Sequence, residues 1–407
     1  MNPNITLKFF PLAYYLIFSM KLFPFLLVAT FFSTSSWSFD SNPIRSSWKQ
    51  LGNDINGEWT KIWSGCSVSL SADGQVVAIG AKHSSGENGC FTGRVRVYHR
   101  MGDTWEQRGA DINGEVPEGY TGSSLSLSAD GRVVAIGSPF ENNGGSVRVY
   151  HWDGDAWQKQ GSGISVEGYR VNSLSLSADG RVVAIGAPFE NNGDSVRVYH
   201  WDGDFWEQRG AGISGENYTG WSVSLSANGQ VVAIGGCSND NVGCVRVYHW
   251  GRDAWEQRGA DIFGENFTGI SLSLSANGQV VAIGGCSNDN RGSVGVYQWD
   301  GDVWEQRGAH ISGESASDFT GRSVSLSASG QTVAIGSPGQ NNYSGNVGFY
   351  RWDGDAWKRS MTNIYGEAHD ESGSSLSLSA NGQIVAIGAP GNNFYAGSVR
   401  IYTLSGD

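Results

Sequence analysis

Clusters of basic residues are absent from this chain. Lys and Arg make up only 27 of the 407 residues, they are scattered singly, and the formal net charge is −12. Binding to nucleic acid depends on clustered Lys and Arg that displace counterions from the phosphates. We therefore expect no nucleic-acid partner.

The common signatures of hydrolases and metal sites are also missing. The chain contains no Gly-x-Ser-x-Gly, no His-Glu-x-x-His and no Cys-x-x-Cys, which are motifs for nucleophiles, zinc and redox chemistry. Serine is abundant, but it occupies regular repeated positions, whereas an active site needs unlike residues that converge. The sequence therefore favours a binding protein over an enzyme, with no catalytic residue and no cofactor.

Glycine and aromatic residues are plentiful, while a helical period is lacking from the repeated part of the chain. There are 59 Gly residues, and Phe, Trp and Tyr together make up 12% of the sequence. This composition is typical of many short strands joined by tight turns.

A unit of about 50 residues recurs along the chain. In one copy, residues 124–128 alternate Ser with Leu, residues 133–137 are apolar, residues 146–152 alternate again, and Trp157 opens a fourth segment. Ala-Asp-Gly or Ala-Asn-Gly and Asp-Gly turns separate the segments, and both are hairpin chemistry. Each unit is thus predicted to form four antiparallel strands, which we label A to D, and such a unit is a propeller blade.

A tryptophan marks strand D in each of seven units: Trp48, Trp105, Trp157, Trp206, Trp255, Trp304 and Trp357. The first recognisable segment is a strand D and the last is a strand C that contains Tyr402. Trp48 can therefore complete the seventh blade and leave no open sheet edge. The predicted fold is an all-β, seven-bladed β-propeller over residues 39–407, closed by an N-terminal outer strand.

The first 38 residues are predicted to direct the chain out of the cytosol. An apolar run over residues 22–32 is followed by Ser36-Trp37-Ser38, a small-x-small cleavage site, and initiation at Met20 would give a signal peptide of ordinary length. The alternative is an uncleaved anchor, because residues 9–32 are long enough to cross a bilayer and only Lys21 interrupts them. Membrane attachment is expected only in that case, and either reading predicts a secreted or cell-surface protein.

The cysteines and the glycosylation sequons are consistent with a protein that is exported from the cytosol. We expect Cys66 to pair with Cys90 and Cys237 with Cys244, leaving Cys286 free, with a Cys237–Cys286 bridge as the rival pairing. Sequons lie at Asn217, Asn266 and Asn342 and predict glycosylation if the source is eukaryotic.

The units resemble the FG-GAP repeats of the integrin α-chain propeller. The residues that carry the resemblance are Phe267-Thr268-Gly269 and Phe319-Thr320-Gly321 before strand A, with Gly186-Ala187-Pro188 and Gly388-Ala389-Pro390 after strand B. Kelch repeats are similar through the double glycine after strand B at Gly235-Gly236. The resemblance implies an extracellular propeller that recognises proteins or glycans, although function does not follow from a fold alone.

Metal binding is not expected. Integrin-type blades often carry a calcium loop, but the Ala-Asp-Gly turns here lack the several carboxylates that calcium prefers. Four histidines share one repeat position, namely His99, His151, His200 and His249. Equivalent points on different blades diverge from the axis, too far apart to ligate one ion.

The predicted ligand site lies where the repeats differ from one another. The A–B and C–D turns are nearly constant, whereas the D–A and B–C loops on the opposite face vary, and an asymmetric ligand requires such variation. The longest departures contain Trp59, Lys61 and Trp63 in one loop and Tyr169 with Arg170 in another. Aromatic rings beside a cation suit stacking on sugars or anchoring a protein.

Three functional hypotheses follow. The first is an extracellular recognition or adhesion module for a protein or carbohydrate. The second is a glycan-processing hydrolase that uses acidic residues from several blades, and the third is a structural cell-wall or coat protein. Binding without turnover on a glycan panel would favour the first hypothesis.

Overall fold

The computed structural model of the protein describes residues 47–85, 91–141, 144–167, 170–188, 195–215, 218–239, 242–264, 267–285 and 289–405. The predicted signal peptide or anchor lies outside these residues. Within the described ranges, no helix is long and apolar enough to cross a membrane.

Seven antiparallel sheets, each with strand order A-B-C-D, confirm the predicted seven-bladed β-propeller. The A strands are Ser64–Leu70, Ser124–Leu127, Ser173–Leu176, Ser222–Leu225, Ser271–Leu274, Ser323–Leu326 and Ser375–Leu378. The B strands are Val76–Ala81, Val133–Ser138, Val182–Gly186, Val231–Asn239, Val280–Gly285, Thr332–Ser337 and Ile384–Ala389. The C strands are Arg94–Met101, Gly144–Trp152, Val196–Trp201, Val242–Trp250, Ser293–Trp299, Asn346–Trp352 and Ser398–Ser405. The D strands, from blade one to blade seven, are Thr104–Gln107, Trp157–Lys159, Trp206–Gln208, Trp255–Gln257, Trp304–Gln306, Trp357–Arg359 and Ser47–Gln50.

Short elements complete the blades. Most C strands pair with a further short strand that follows strand D; these are Ile55–Asn56, Ile112–Asn113, Ile164–Glu167, Ile262–Phe263, Ile311–Ser312 and Ile364–Tyr365. Two one-turn helical segments, Gln340–Tyr343 and Asn392–Tyr395, lie in B–C loops and contain residues with left-handed backbone angles.

The seventh blade takes its outer strand from the beginning of the described chain. Ser47–Gln50 pairs antiparallel with Ser398–Ser405, so that Trp48 lies opposite Leu404. The Trp48 ring packs 4.3 Å from the ring of Phe349 in the sixth blade. The two ends of the propeller are thereby joined within one sheet.

Backbone hydrogen bonds join the seven blades into a ring. The amide of Ala72 donates to the carbonyl of Ala129, and the same bond recurs from blade to blade until Ala380 donates to Ala72. All seven of these bonds are 2.8–2.9 Å long. Because the last bond returns to the first residue, the ring is closed at the A–B turns.

The repeated serines of strand A form a second closed ring. Small side chains suit this position because the blades crowd together near the axis. The structure adds a hydrogen-bonding reason: the amide of Leu127 donates to Ser69 Oγ at 3.0 Å, and the amide of Leu176 donates to Ser126 Oγ at 3.0 Å. The other five members are Leu225 to Ser175, Leu274 to Ser224, Leu326 to Ser273, Leu378 to Ser325 and Leu70 to Ser377.

The hydrophobic core consists of layers between neighbouring blades. Strand B is apolar on both faces, so its successive residues enter different layers: Val134 packs toward the first blade and Ala135 toward the third. Both side chains are fully buried. Burial of this kind is the main free energy that holds the blades together.

The A–B turns need glycine because neighbouring blades approach closely there. Gly131 has φ of +66°, and a Cβ on it would lie 2.7 Å from Val76 of the first blade. In the same turn, Asp130 Oδ1 accepts hydrogen bonds from Ser128 Oγ at 2.6 Å and from the Arg132 amide at 3.0 Å. The carboxylate is therefore engaged in shaping the turn.

Candidate functional site

In six of the seven blades, the described part of the D–A crossover contains one residue with left-handed backbone just before strand A. We call the face formed by the D–A and B–C loops the variable face. In five blades the left-handed residue is aromatic and has φ between 52° and 63°; these are Trp63, Tyr120, Tyr218, Phe267 and Phe319. In the seventh blade it is Glu371, with φ of 54°. Left-handed backbone is costly for such residues, so the surrounding structure must hold them there.

A Thr-Gly or Ser-Gly pair follows this residue and explains the geometry. Gly122 has φ of +85°, and a Cβ on it would lie 2.8 Å from the carbonyl oxygen of Arg94. Thr121 is buried and its hydroxyl lies 2.7 Å from Ser138 Oγ. The tripeptide thus fixes the backbone at the point where strand A begins.

The third blade departs from this pattern. Val171 occupies the position of the glycine and is fully buried. In the first blade Ser67 Oγ donates to the carbonyl of Gly122 at 2.8 Å, whereas Ser124 Oγ, its counterpart facing Val171, has no hydrogen-bond partner among the described residues.

The residue after the glycine, which we call the entrance position, differs between blades. Strand A below it is nearly constant, whereas the entrance position carries Cys66, Ser123, Asn172, Trp221, Ile270, Arg322 and Ser374. Five of these seven residues line one pocket. The propeller therefore presents different chemistry from each blade at a single place.

This pocket, which we call the entrance pocket, has a volume of about 710 Å³. Small-ligand sites usually measure about 300–1,000 Å³. Its wall is largely aromatic and includes Trp63, Trp221, Phe267, Phe319 and Tyr343. Its charged groups are Lys82, Arg322 and Glu371.

The charged groups of the pocket are unevenly placed. Lys82 Nζ lies 4.6 Å from the centre of the Trp63 ring. Burial raises the pKa of the Glu371 carboxyl, and the positive charge of Arg322 partly opposes that rise. Arg322 itself is exposed to solvent.

Cys66 carries a free thiol at the entrance pocket, which corrects the predicted pairing with Cys90. Its Sγ lies 3.5 Å from the carbonyl oxygen of Gly80 and 3.6 Å from that of Gly122. The thiol is therefore held between two blades, and burial raises its pKa. Cys90 and Cys286 lie outside the described residues.

The second predicted pair is placed differently. The backbone register of strands B and C in the fourth blade sets Cys237 directly opposite Cys244. Directly paired residues on antiparallel strands have Cβ atoms about 4.5–5.5 Å apart. The Cys237–Cys244 bridge remains a prediction, and peptide mapping without reduction would test it.

The predicted ligand residues divide into two groups. Trp63 lines the entrance pocket, whereas Trp59 is 69% exposed and lies outside the pocket wall. Lys61 is also exposed, and its amide donates to the carbonyl of Phe394 at 3.3 Å. Arg170 lies above the ring of Phe140 at 4.5 Å, and Tyr169 is outside the described residues.

A series of ring contacts, two of them stacked and two of them tilted or edge-on, connects Trp63 with Arg170. The ring centres are 5.5 Å apart for Tyr395 and Trp63, 5.0 Å for Trp63 and His83, 5.3 Å for His83 and Tyr120, and 5.5 Å for Tyr120 and Phe140. We call Tyr395, Trp63, His83, Tyr120 and Phe140 the aromatic track. It runs over the seventh, first and second blades and ends beneath Arg170 of the third.

Our sequence reasoning missed three residues of the entrance pocket, namely Trp221, Arg322 and Glu371. Trp221, Arg322 and Glu371 replace residues of other types at aligned repeat positions, which is a visible signal. We searched instead for the longest loops. Aligning the crossovers by their glycine would have identified all three.

The remaining predicted features are less informative for the site. Asn342 is exposed in the B–C loop of the sixth blade, while Asn217 and Asn266 lie outside the described residues. His200 and His249 each face a glutamate of strand D at 3.5 Å. Among the residues that the structure covers, no group of three or more His, Cys, Asp or Glu is arranged to hold a metal ion.

Comparison with known proteins adds no family assignment. Neither a scan against protein-family models nor a search of curated proteins gave a match for this chain. The class of protein established by the structure is therefore the seven-bladed β-propeller itself.

Proposed function

We propose that the protein is an extracellular recognition module that binds a protein or carbohydrate ligand through the entrance pocket. The observation that supports this proposal is the difference between the entrance positions above a nearly constant strand A. Identical repeats need no such variation for stability, because the serine and alanine rings already join the blades. Variation at one concave place suits an asymmetric ligand.

The same proposal includes the repeat family to which the blades are related. We infer that they are FG-GAP-like, with kelch-like features, and that export precedes folding of the propeller. The Phe-Thr-Gly tripeptides that carry this resemblance occupy the crossovers around the entrance pocket. A recognition role is therefore assigned to the very segments that resemble the family.

Two aromatic residues test the location of the site. Trp221→Ala removes a ring from the pocket wall, whereas Trp59→Ala removes an exposed ring outside it. On a glycan array and in pull-downs with the protein, we expect Trp221→Ala to weaken binding about tenfold or more, as for a buried aromatic anchor. Trp59→Ala should bind as the unmodified protein does.

The opposite result would move the site to the loop that contains Trp59. Turnover of a bound glycan would replace recognition by hydrolysis. Absence of any ligand would favour the structural-coat hypothesis. Melting temperatures of both variants serve as the folding control.

A further inference from the structure

The entrance pocket contains two cations, Lys82 and Arg322, and one carboxylate, Glu371, which interacts with Arg322 without forming an ion pair. Among the described residues, neither Arg322 nor Lys82 has a carboxylate within ion-pair distance. Other arginines are engaged: Arg148 contacts Glu115 and Glu141, and Arg400 contacts Asp54, Glu367 and Asp370. A second group lies over tryptophan rings at the outer edge of the blades, namely Arg108, Arg209, Arg258 and Arg307. Arg322 differs from both groups because it lines the entrance pocket.

A third cation of this kind lies at the far end of the aromatic track. Arg170 lies above Phe140, and within the described ranges it has no carboxylate at ion-pair distance. Lys82 lies above Trp63 in the same manner. The chain has a formal net charge of −12, so these cations stand out against an acidic protein.

The rings beside these cations are suited to sugars. A pyranose presents a face of C–H groups that packs on an aromatic ring, while its hydroxyl groups remain in water. Trp63 belongs to both the entrance pocket and the aromatic track, so the two surfaces are continuous. A chain of sugar rings could therefore extend from the pocket along the track.

We infer that the ligand is an acidic oligosaccharide, with a carboxylate or sulfate held near Arg322 and Lys82 in the entrance pocket and further rings on the aromatic track toward Arg170. The planar guanidinium matches both anionic groups through paired hydrogen bonds. This inference rests on the proposed function and specifies the chemistry of its ligand.

Matched sugar pairs test the charge requirement. The probes are an oligogalacturonate and its methyl ester, together with a sulfated oligosaccharide and its desulfated form. Titration calorimetry should show about tenfold or tighter binding of one acidic member over its neutral partner, the size expected for a charge-assisted hydrogen bond. The arm that shows the preference identifies the anionic group.

Substitutions then test whether the preference for the acidic sugar depends on the cations of the entrance pocket. Arg322→Gln and Lys82→Gln should each reduce the preference for the acidic sugar while retaining binding to the neutral one. Arg351→Gln changes the net charge equally at an exposed position of strand C, away from the pocket wall, and it should leave the preference intact. Arg170→Gln should weaken long oligosaccharides and leave the shortest bound form unaffected.

The outcomes separate the two proposals. Equal binding of acidic and neutral sugars, or a preference that survives both pocket variants, overturns this inference and leaves recognition through the pocket standing. A preference lost equally in Arg351→Gln also overturns it, because it would then reflect overall charge. If no probe binds while a protein ligand depends on Trp221, the inference fails and the proposed function is retained.

Discussion

The middle of strand A and its entrance position, a few residues earlier, follow opposite rules. In the middle, Ser69, Ser126 and their counterparts are the same in every blade, and each accepts a backbone hydrogen bond from the next. At the entrance position, the residue type differs between blades, and residues as unlike as Trp221 and Arg322 occur there. Changes in the first region should therefore alter stability, and changes in the second should alter binding.

The largest loss of unfolding free energy should come from changes in the strand that closes the ring. Trp48→Ala removes a ring that packs on Phe349, and we expect it to cost about 3 kcal/mol of unfolding free energy. Urea unfolding measures the change, and Trp255→Ala in an internal strand D is the matched control. Deleting residues 47–56 should lower the melting temperature further, and an unaltered melting curve would refute closure by this strand.

A smaller loss of unfolding free energy is expected when one serine of the hydrogen-bonded ring in strand A is replaced. Ser126→Ala leaves the Leu176 amide without its acceptor, which should cost about 1–2 kcal/mol in urea unfolding. Ser123→Ala at the entrance position removes only a hydroxyl that donates to Tyr120, and should cost less than about 1 kcal/mol. Equal losses would show that the two regions do not differ.

A gain in stability is expected where a blade lacks the ion pair that an arginine of strand C forms with a carboxylate in other blades. At aligned C-strand positions of several blades, an arginine contacts carboxylates; examples are Arg96, Arg148, Arg246 and Arg400. The sixth blade has Gly348 there and Asn363 in place of the aspartate, and the buried Oδ1 of Asn363 and Oε1 of Gln340 have no partner among the described residues.

The double variant Gly348→Arg with Asn363→Asp should therefore raise the unfolding free energy by about 1 kcal/mol. Gly348→Arg alone is the control, because it supplies the guanidinium without its carboxylate. A destabilised double variant would mean that the arginine does not fit beside Tyr350, which lies 3.2 Å from a Cβ built on Gly348.

The smallest effect concerns the pH dependence of stability at the entrance pocket. Burial raises the pKa of Glu371, so the folded protein binds this proton more tightly than the unfolded chain does. Stability from this group is fully present below the ordinary glutamate pKa and falls as the pH rises through the raised value. Glu371→Gln should remove this loss and make the protein slightly more stable at neutral pH.

Urea unfolding between pH 4 and pH 7 measures this difference. Glu305→Gln is the control, since its side chain is exposed and forms no ion pair with the described residues. A Glu371→Gln variant that is less stable at neutral pH would show that the carboxylate is stabilised in its charged form.

Local patterns predicted the blades because each strand and turn has its own signature. Alternating Ser and Leu, the Val-Ala-Ile runs and the Ala-Asp-Gly turns act within a few residues, so strand order and blade number could be inferred from the sequence. The location of Trp48 in the seventh blade followed from the order of strands alone.

The pairing of Cys66 and the site residues could not be inferred in the same way. The direction of the Cys66 thiol depends on how Gly80 and Gly122 of neighbouring blades meet around it. The search for long loops selected Trp59, although length does not say whether a side chain points toward the axis.

The amino-acid sequence by itself determined a ring of seven four-stranded blades, because hairpin turns and period-two patterns are local and are repeated seven times. Only the tertiary structure decided that Trp63, Trp221, Phe319, Arg322 and Glu371 share one pocket. They are far apart in the chain and meet because the closed ring brings the crossovers together. In six of the seven blades, a described residue with left-handed backbone precedes strand A at this place.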